Sequence, residues 1–300
     1  MKYRFNLLQL VTLSFFFSLL LIVSCTRDTS QSGSDNEQEV TASSVSGESD
    51  AQAEIVFNGL FDDAMGVSDE VGMAGTGIFG RGNACPTVTV IHLTPPSVFP
   101  IKVILDFGPN GCVGNDGHLR KGKIITYYTD RLIHPGATAR TTFDGFYVDS
   151  VHVEGTHKIT NTTNPVNTTP AHPRQFTADV INGKLSVPNG NFTEWNSHKV
   201  ITQFEGQGTN DPRDDQFKVE GNAHGKVKRG QLIVVWESNI IEPLIKRFNC
   251  RWIVKGKVKT VRLNLSVSSP WVAVLDFGNG VCDNQAVLTI NGVPHQITLP

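Results

Sequence analysis

The sequence predicts an all-β protein, an antiparallel meander, sandwich or curved sheet, with one short N-terminal amphipathic helix. Three observations predict it. From residue 85 onward, short β-branched and aromatic runs alternate with Gly, Pro and Asn, the pattern of half-buried strands separated by turns. Asn182-Gly183 and Asn291-Gly292 each sit between strand-like flanks, as a two-residue hairpin with positive φ at both positions requires. No helix-period segment alternates with these runs, which disfavours a parallel βαβ sheet and leaves antiparallel architectures.

In chain order, strands are expected at 87–93, 101–107, 123–128, 146–153, 176–181, 200–204, 217–219, 232–236, 250–258 and 271–277, with a closing hairpin over 286–299. Pro188-Asn189-Gly190-Asn191 supplies a further turn, because Asn and Gly accept the backbone angles that turns need. Ahead of the strands, Ile55, Phe57, Leu60, Phe61, Met65 and Val67 fall near helical spacing within 54–71. That spacing predicts a helix packed on the domain, followed by a flexible Gly-rich loop over 72–82. Residues 26–53 are Ser, Gln, Asp, Glu and Gly with few apolar side chains, a composition expected to stay disordered and act as a tether. The expected organisation is therefore 1–24 leader, 25–53 tether, 54–84 helix and loop, and 85–300 β-domain.

The formal net charge of −2 hides an asymmetry: residues 28–80 hold eleven acids and no Lys or Arg, while 81–300 hold 17 acids and 23 bases. A basic body suits an anionic partner, although a charge of this size also fits an ordinary solvated surface.

The N-terminus has export grammar. Lys2 and Arg4 precede a mostly apolar run over 7–23 that ends in Ile22-Val23-Ser24-Cys25. That tetrad resembles the lipobox of bacterial lipoprotein precursors. The resemblance implies cleavage after Ser24, a diacylglyceryl group on the Cys25 thiol and an acylated new amine. Three chains would hold the protein firmly where a single one is marginal at about 0.8 kcal/mol per buried methylene. Thr26 in place of an aspartate implies outer-membrane delivery, with the periplasmic or surface face open. The competing reading of 7–23 is a minimal transmembrane anchor.

With Cys25 set aside, Cys85, Cys112, Cys250 and Cys282 remain. An even count in an oxidising compartment predicts disulfides. Of the three possible pairings, Cys85 with Cys112 and Cys250 with Cys282 are favoured, because each pair flanks a similar segment: Asp106-Phe107-Gly108 before Cys112, and Asp276-Phe277-Gly278 before Cys282, at an offset of 170. Free buried thiols are the alternative. The stretch Cys250-Arg251-Trp252-Ile253-Val254, then Leu275-Asp276-Phe277-Gly278 to Cys282-Asp283-Asn284 and the Asn291-Gly292 hairpin, resembles the C-terminus of a family of uncharacterised exported lipoproteins. The resemblance covers about the last 150 residues and implies fold and location, with no activity attached.

Catalytic patterns are weak. Gly75 to Gly80 fits G-x-G-x-x-G but lacks the preceding strand and the βαβ unit that dinucleotide binding needs. His152, Glu154 and His157 form the densest histidine cluster, yet a strand would turn the two histidines to opposite faces. Glu194, Glu205, Glu220, Glu237 and Glu242 could furnish a glycosidase pair, and Trp195, Trp236, Trp252 and Trp271 could be sugar platforms or core. Neither a cofactor nor a metal is called for, and nucleic acid does not suit the address. The one surface feature is a basic stripe, Lys255, Lys257 and Lys259 on one strand face beside Arg251. It suits envelope glycan or anionic lipid; lysines guarding an exposed edge strand are the other reading. The leading expectation is a membrane-tethered, non-catalytic binding or structural domain. An envelope polysaccharide hydrolase and a carrier of an apolar ligand inside a curved sheet are the alternatives.

Overall fold

The computed structural model describes residues 29–66, 86–113, 117–167, 172–207, 214–263 and 272–299. Helix α1 (Thr29–Gly66) precedes β1 (Thr87–His92), β2 (Ile101–Asp106), β3 (Cys112–Val113), β4 (Leu119–Tyr128), β5 (Thr138–Val148), β6 (Val151–Asn161) and β7 (Gln175–Ser186). Then come β8 (Phe192–Glu205), β9 (Gln216–Arg229), β10 (Leu232–Arg247), β11 (Cys250–Arg262), β12 (Val272–Asn279), β13 (Gln285–Ile290) and β14 (Val293–Thr298). They form one antiparallel sheet in which each strand lies beside the next in sequence, except that the two-residue β3 branches off β4. The expected all-β architecture with one helix is what forms.

The chain divides into two compact units, Met1–Thr41 and Ala42–Pro300. The described part of the first is the opening of α1. The second holds the rest of α1 and the whole sheet, so helix and strands share a core and the expected boundary near residue 85 does not separate domains. No helix among the described residues is long and apolar enough to cross a membrane; the leader, Cys25, the Gly-rich stretch 72–82 and the Gly75 to Gly80 motif lie outside those residues.

The expected tether is overturned from Thr29 onward. Ala42, Ser43, Ser46, Gly47, Ser49, Asp50, Ala51, Ala53 and Glu54 are buried, continuing a face that runs on through Phe57, Leu60, Phe61 and Ala64 at helical spacing. These residues bury not by bulk but by smallness. A Cβ on Gly47 would stand 2.9 Å from Leu288 Cδ1, so the helix backbone lies against the side chains of β13. Further along, Phe57 stacks on Trp195 at 5.5 Å and Phe61 meets Phe176 and Phe217 edge-on at 5.7 and 5.8 Å. Tyr128 Oη donates to the Ala64 carbonyl at 3.0 Å.

Bulges bend the sheet around this helix. Register shifts occur in every pairing from β4–β5 to β11–β12, and an extra residue on one strand increases its local twist and bend. Asn182-Gly183, expected to turn a hairpin, is one of these bulges inside β7. Asn182 has φ 53, and a Cβ on Gly183 would lie 2.7 Å from the Trp195 carbonyl and 3.0 Å from the Phe57 ring. Close approach, not chain reversal, selects the glycine there. The other Asn-Gly behaves as expected: Asn291 and Gly292 at φ 48 and 83 join β13 to β14. The expected strand over 146–153 is two strands, because Asp149 at φ 53 turns β5 into β6.

Candidate functional site

The two cysteine corners are built alike. Asp106 Oδ1 accepts from the Gly108 N–H at 2.9 Å, and Asp276 Oδ1 accepts from the Gly278 N–H at 2.9 Å. Each aspartate also meets a lysine that follows a bulge glycine on a neighbouring strand, Lys123 at 2.8 Å and Lys257 at 3.7 Å. Hydrogen bonding to Lys123 holds the Asp106 carboxyl below the usual aspartate range. The likeness is local and not a tandem repeat, since the lysine strand β4 follows its corner strand β2 whereas β11 precedes β12. Cys250 and Cys282 form the expected disulfide. Cys112 is also disulfide-bonded; Cys85, its expected partner, lies outside the described residues.

On β11, Lys255, Lys257 and Lys259 face outward, opposite the buried Val254, Gly256, Val258 and Thr260. The strand lies between β10 and β12, so guarding an edge is not what these lysines do. The stripe is not uniformly basic. Lys257 Nζ donates to Glu242 at 2.7 Å and approaches Asp276 at 3.7 Å, and the hydrogen bond to Glu242 holds its ammonium above the usual lysine range. Lys255 and Lys259 have no ionic partner among the described residues. Arg251 stacks its guanidinium over Trp252 at 5.1 Å.

A cleft of about 390 Å³ borders this stripe, lined by Asp276, Gly278, Asn279, Val281, Asp283, Gln285, Val287 and Gln296 among others. Lys257, Asp276, Val287 and Gln296 form one cross-strand row over β11 to β14. The corner loop that walls the cleft is tied to the start of β11 by the Cys250–Cys282 bond. Sequence alone marks the corner and the stripe separately; strand register is what makes them neighbours.

Sequence reasoning missed a second polar cluster, enclosed between α1 and the sheet. Trp195 Nε1 and Trp236 Nε1 both donate to Asp50 Oδ1, at 2.8 and 3.2 Å. Lys199 Nζ pairs with Glu54 Oε2 at 2.9 Å, and Glu54 Oε1 accepts from Asn58 Nδ2 at 3.0 Å. Burial holds the Asp50 carboxyl above the usual aspartate range, against the nearby Lys199 ammonium. Burial also lowers the His157 imidazole to about 4. The cavity beside Phe57, His157, Trp195 and Lys199 is about 10 Å³, at the lower limit of what one water needs. At that volume nothing larger than a water fits beside these side chains.

Trp195 and Trp236 are therefore core, not sugar platforms, and Trp252 lies under Arg251; Trp271 is outside the described residues. His157 points inward while His152 stacks outward on Tyr147 at 4.6 Å, the opposite-face placement that strand parity predicts. Among the described residues no three His, Cys, Asp or Glu side chains converge as a metal site. Comparison with protein-family models, curated proteins and solved structures finds no significant match to this chain.

Proposed function

We propose that this chain is a lipid-anchored envelope protein whose non-catalytic β-domain binds an anionic glycan on the outer face of β11 to β14. The anchor rests on Ile22-Val23-Ser24-Cys25. One observation carries the binding reading: Lys255, which has no ionic partner among the described residues, pairs in register with Asn279 on the rim of a cleft furnished with amides and carboxylates, and Lys259 follows on the same strand face. An acidic sugar supplies a carboxylate to the lysines and hydroxyls to Gln285, Gln296 and Asp283. A lipid phosphate would use the lysines and leave the cleft idle. Glu242 and Asp276, the carboxylates nearest the stripe, are both turned to the Lys257 ammonium, which argues for a binding surface over a hydrolytic pair. The cavity beside Phe57, His157 and Trp195 is about 10 Å³, too small for an apolar cargo at that point.

Titration calorimetry with polygalacturonate tests the reading. Wild type should bind with an affinity that falls with salt, and Lys255→Glu with Lys259→Glu should weaken it by roughly tenfold, the scale of 1.4 kcal/mol. Equal binding by wild type and the double variant, or binding to phosphatidylglycerol vesicles with none to the polysaccharide, would overturn it.

A further inference from the structure

The two ends of the sheet are not equivalent. At one end, β14 (Val293–Thr298) carries Pro294, which cannot donate to an added strand and so protects that edge. At the other, β1 (Thr87–His92) reads Thr-Val-Thr-Val-Ile-His, with no proline, lysine or acid. Its one neighbour among the described residues is β2. Val88 and Ile91 are 47% and 39% exposed, an apolar edge of the kind that soluble chains ordinarily blunt.

The direction of the exposed backbone groups follows from one bond. Leu93 N–H donates to the Pro100 carbonyl at 3.0 Å, in the same register that pairs Ile91 with Lys102 and Thr89 with Ile104. Antiparallel ladders alternate, so Thr87, Thr89 and Ile91 turn their N–H and C=O toward β2, and Val88 and Val90 turn theirs away. The side chains of Val88 and Val90 lie on the core face, opposite Leu105 and Val103, whose exposure is 3% and 1%. Thus, among the described residues, no strand meets the outward hydrogen-bonding groups of Val88 and Val90, and Val88 leaves the margin of the core exposed.

We propose that β1 is a dimer seam, pairing antiparallel with β1 of a second copy of this chain about a two-fold axis at Thr89. In that register Val88 and Val90 exchange N–H and C=O bonds with Val90 and Val88 of the second copy, and valine covers valine on the core face. On the outer face Thr89 meets its own counterpart and Thr87 meets Ile91. A second copy fits because the strand has no charge to repel itself, and because pairing like with like closes as a dimer. Pairing β1 to β14 would instead meet Pro294 and leave further edges open.

The test is sedimentation equilibrium of the full chain in density-matched detergent, with Thr89→Lys and Thr89→Glu separately and mixed. Like charges set directly opposite one another destabilise a strand pair. Wild type should be dimeric, each variant should dissociate roughly tenfold more readily, and an equal mixture of the two should recover the dimer. Diluted until all are monomeric, both variants should unfold at the wild-type midpoint, since Thr89 lies on the exposed face, whereas at dimer-forming concentration wild type gains stability from association. A wild type that stays monomeric overturns the proposal. So does a monomer whose Val88 and Val90 amides resist hydrogen exchange, which would place the occupant of the edge within the chain itself. A mixture no more dimeric than its components would equally overturn it.

Discussion

His157 is a buried imidazole beside Phe57, at 6.3 Å between ring centroids, and its Nδ1 has no hydrogen-bond partner among the described residues. Such a ring is tolerated only when neutral. Its folded pKa of about 4 lies below the ordinary value of 6.5, so between those values the unfolded chain binds a proton that the folded chain refuses. Stability is then fully present above about pH 6.5 and falls as pH is lowered toward 4, by up to about 3 kcal/mol at 1.36 kcal/mol per pH unit. Asp50 works in the opposite sense, because a raised carboxyl pKa favours the fold at low pH and loses that contribution as pH rises. Urea midpoints at pH 7 and pH 4.5 separate the two. Wild type should lose stability on acidification, and His157→Phe should remove most of that loss; identical pH profiles would contradict the account. Asp50 carries a further structural duty, since its removal would leave two buried indole N–H groups without an acceptor. A lost acceptor of this kind costs about 1–3 kcal/mol per group.

At the scale of elements, α1 shows where composition misleads. Phe57 and Phe61 announce a helix by size and spacing, and the expected start at residue 54 follows from them. The preceding turns carry the same periodicity in Ala42, Ser43, Ser46, Gly47, Asp50 and Ala53, whose small or polar side chains look like tether chemistry until a sheet approaches closely enough to bury them. Ser46 is fully buried and donates to the Ser43 carbonyl at 3.0 Å. Ser46→Pro should therefore cost about 3 kcal/mol or more, read as a lower thermal midpoint by circular dichroism, whereas a disordered tether would tolerate it unchanged. The strands were far more legible, because β-branched alternation reports their half-buried faces directly. Their bulges were not. Asn182-Gly183 and Asn291-Gly292 offer the same dipeptide, and only the packing of Trp195 and Phe57 on Gly183 makes the first a kink and the second a turn. The lysine parity on β11 was readable from spacing alone, but the neutralisation of Lys257 was not, since Glu242 and Asp276 reach it through register.

At the scale of the molecule, a long meander closes its core by bending around one helix and fastens its corners with cystine. The Cys250–Cys282 bond closes a separation of 32 residues, which on the chain-entropy model contributes about 3–4 kcal/mol. It also holds the cleft wall against β11, so stability and the proposed binding face share one covalent link. The proposed ligand and seam belong to an exported, oxidised and membrane-held chain, and that placement turns on the lipidation of Cys25. Intact-mass spectrometry of the protein extracted from its native membrane tests it most directly. The account predicts a chain that begins at Cys25 and carries the added mass of a diacylglyceryl group and an amide-linked acyl chain. A chain that retains residues 1–24, or one that begins at Cys25 with no lipid attached, would contradict it.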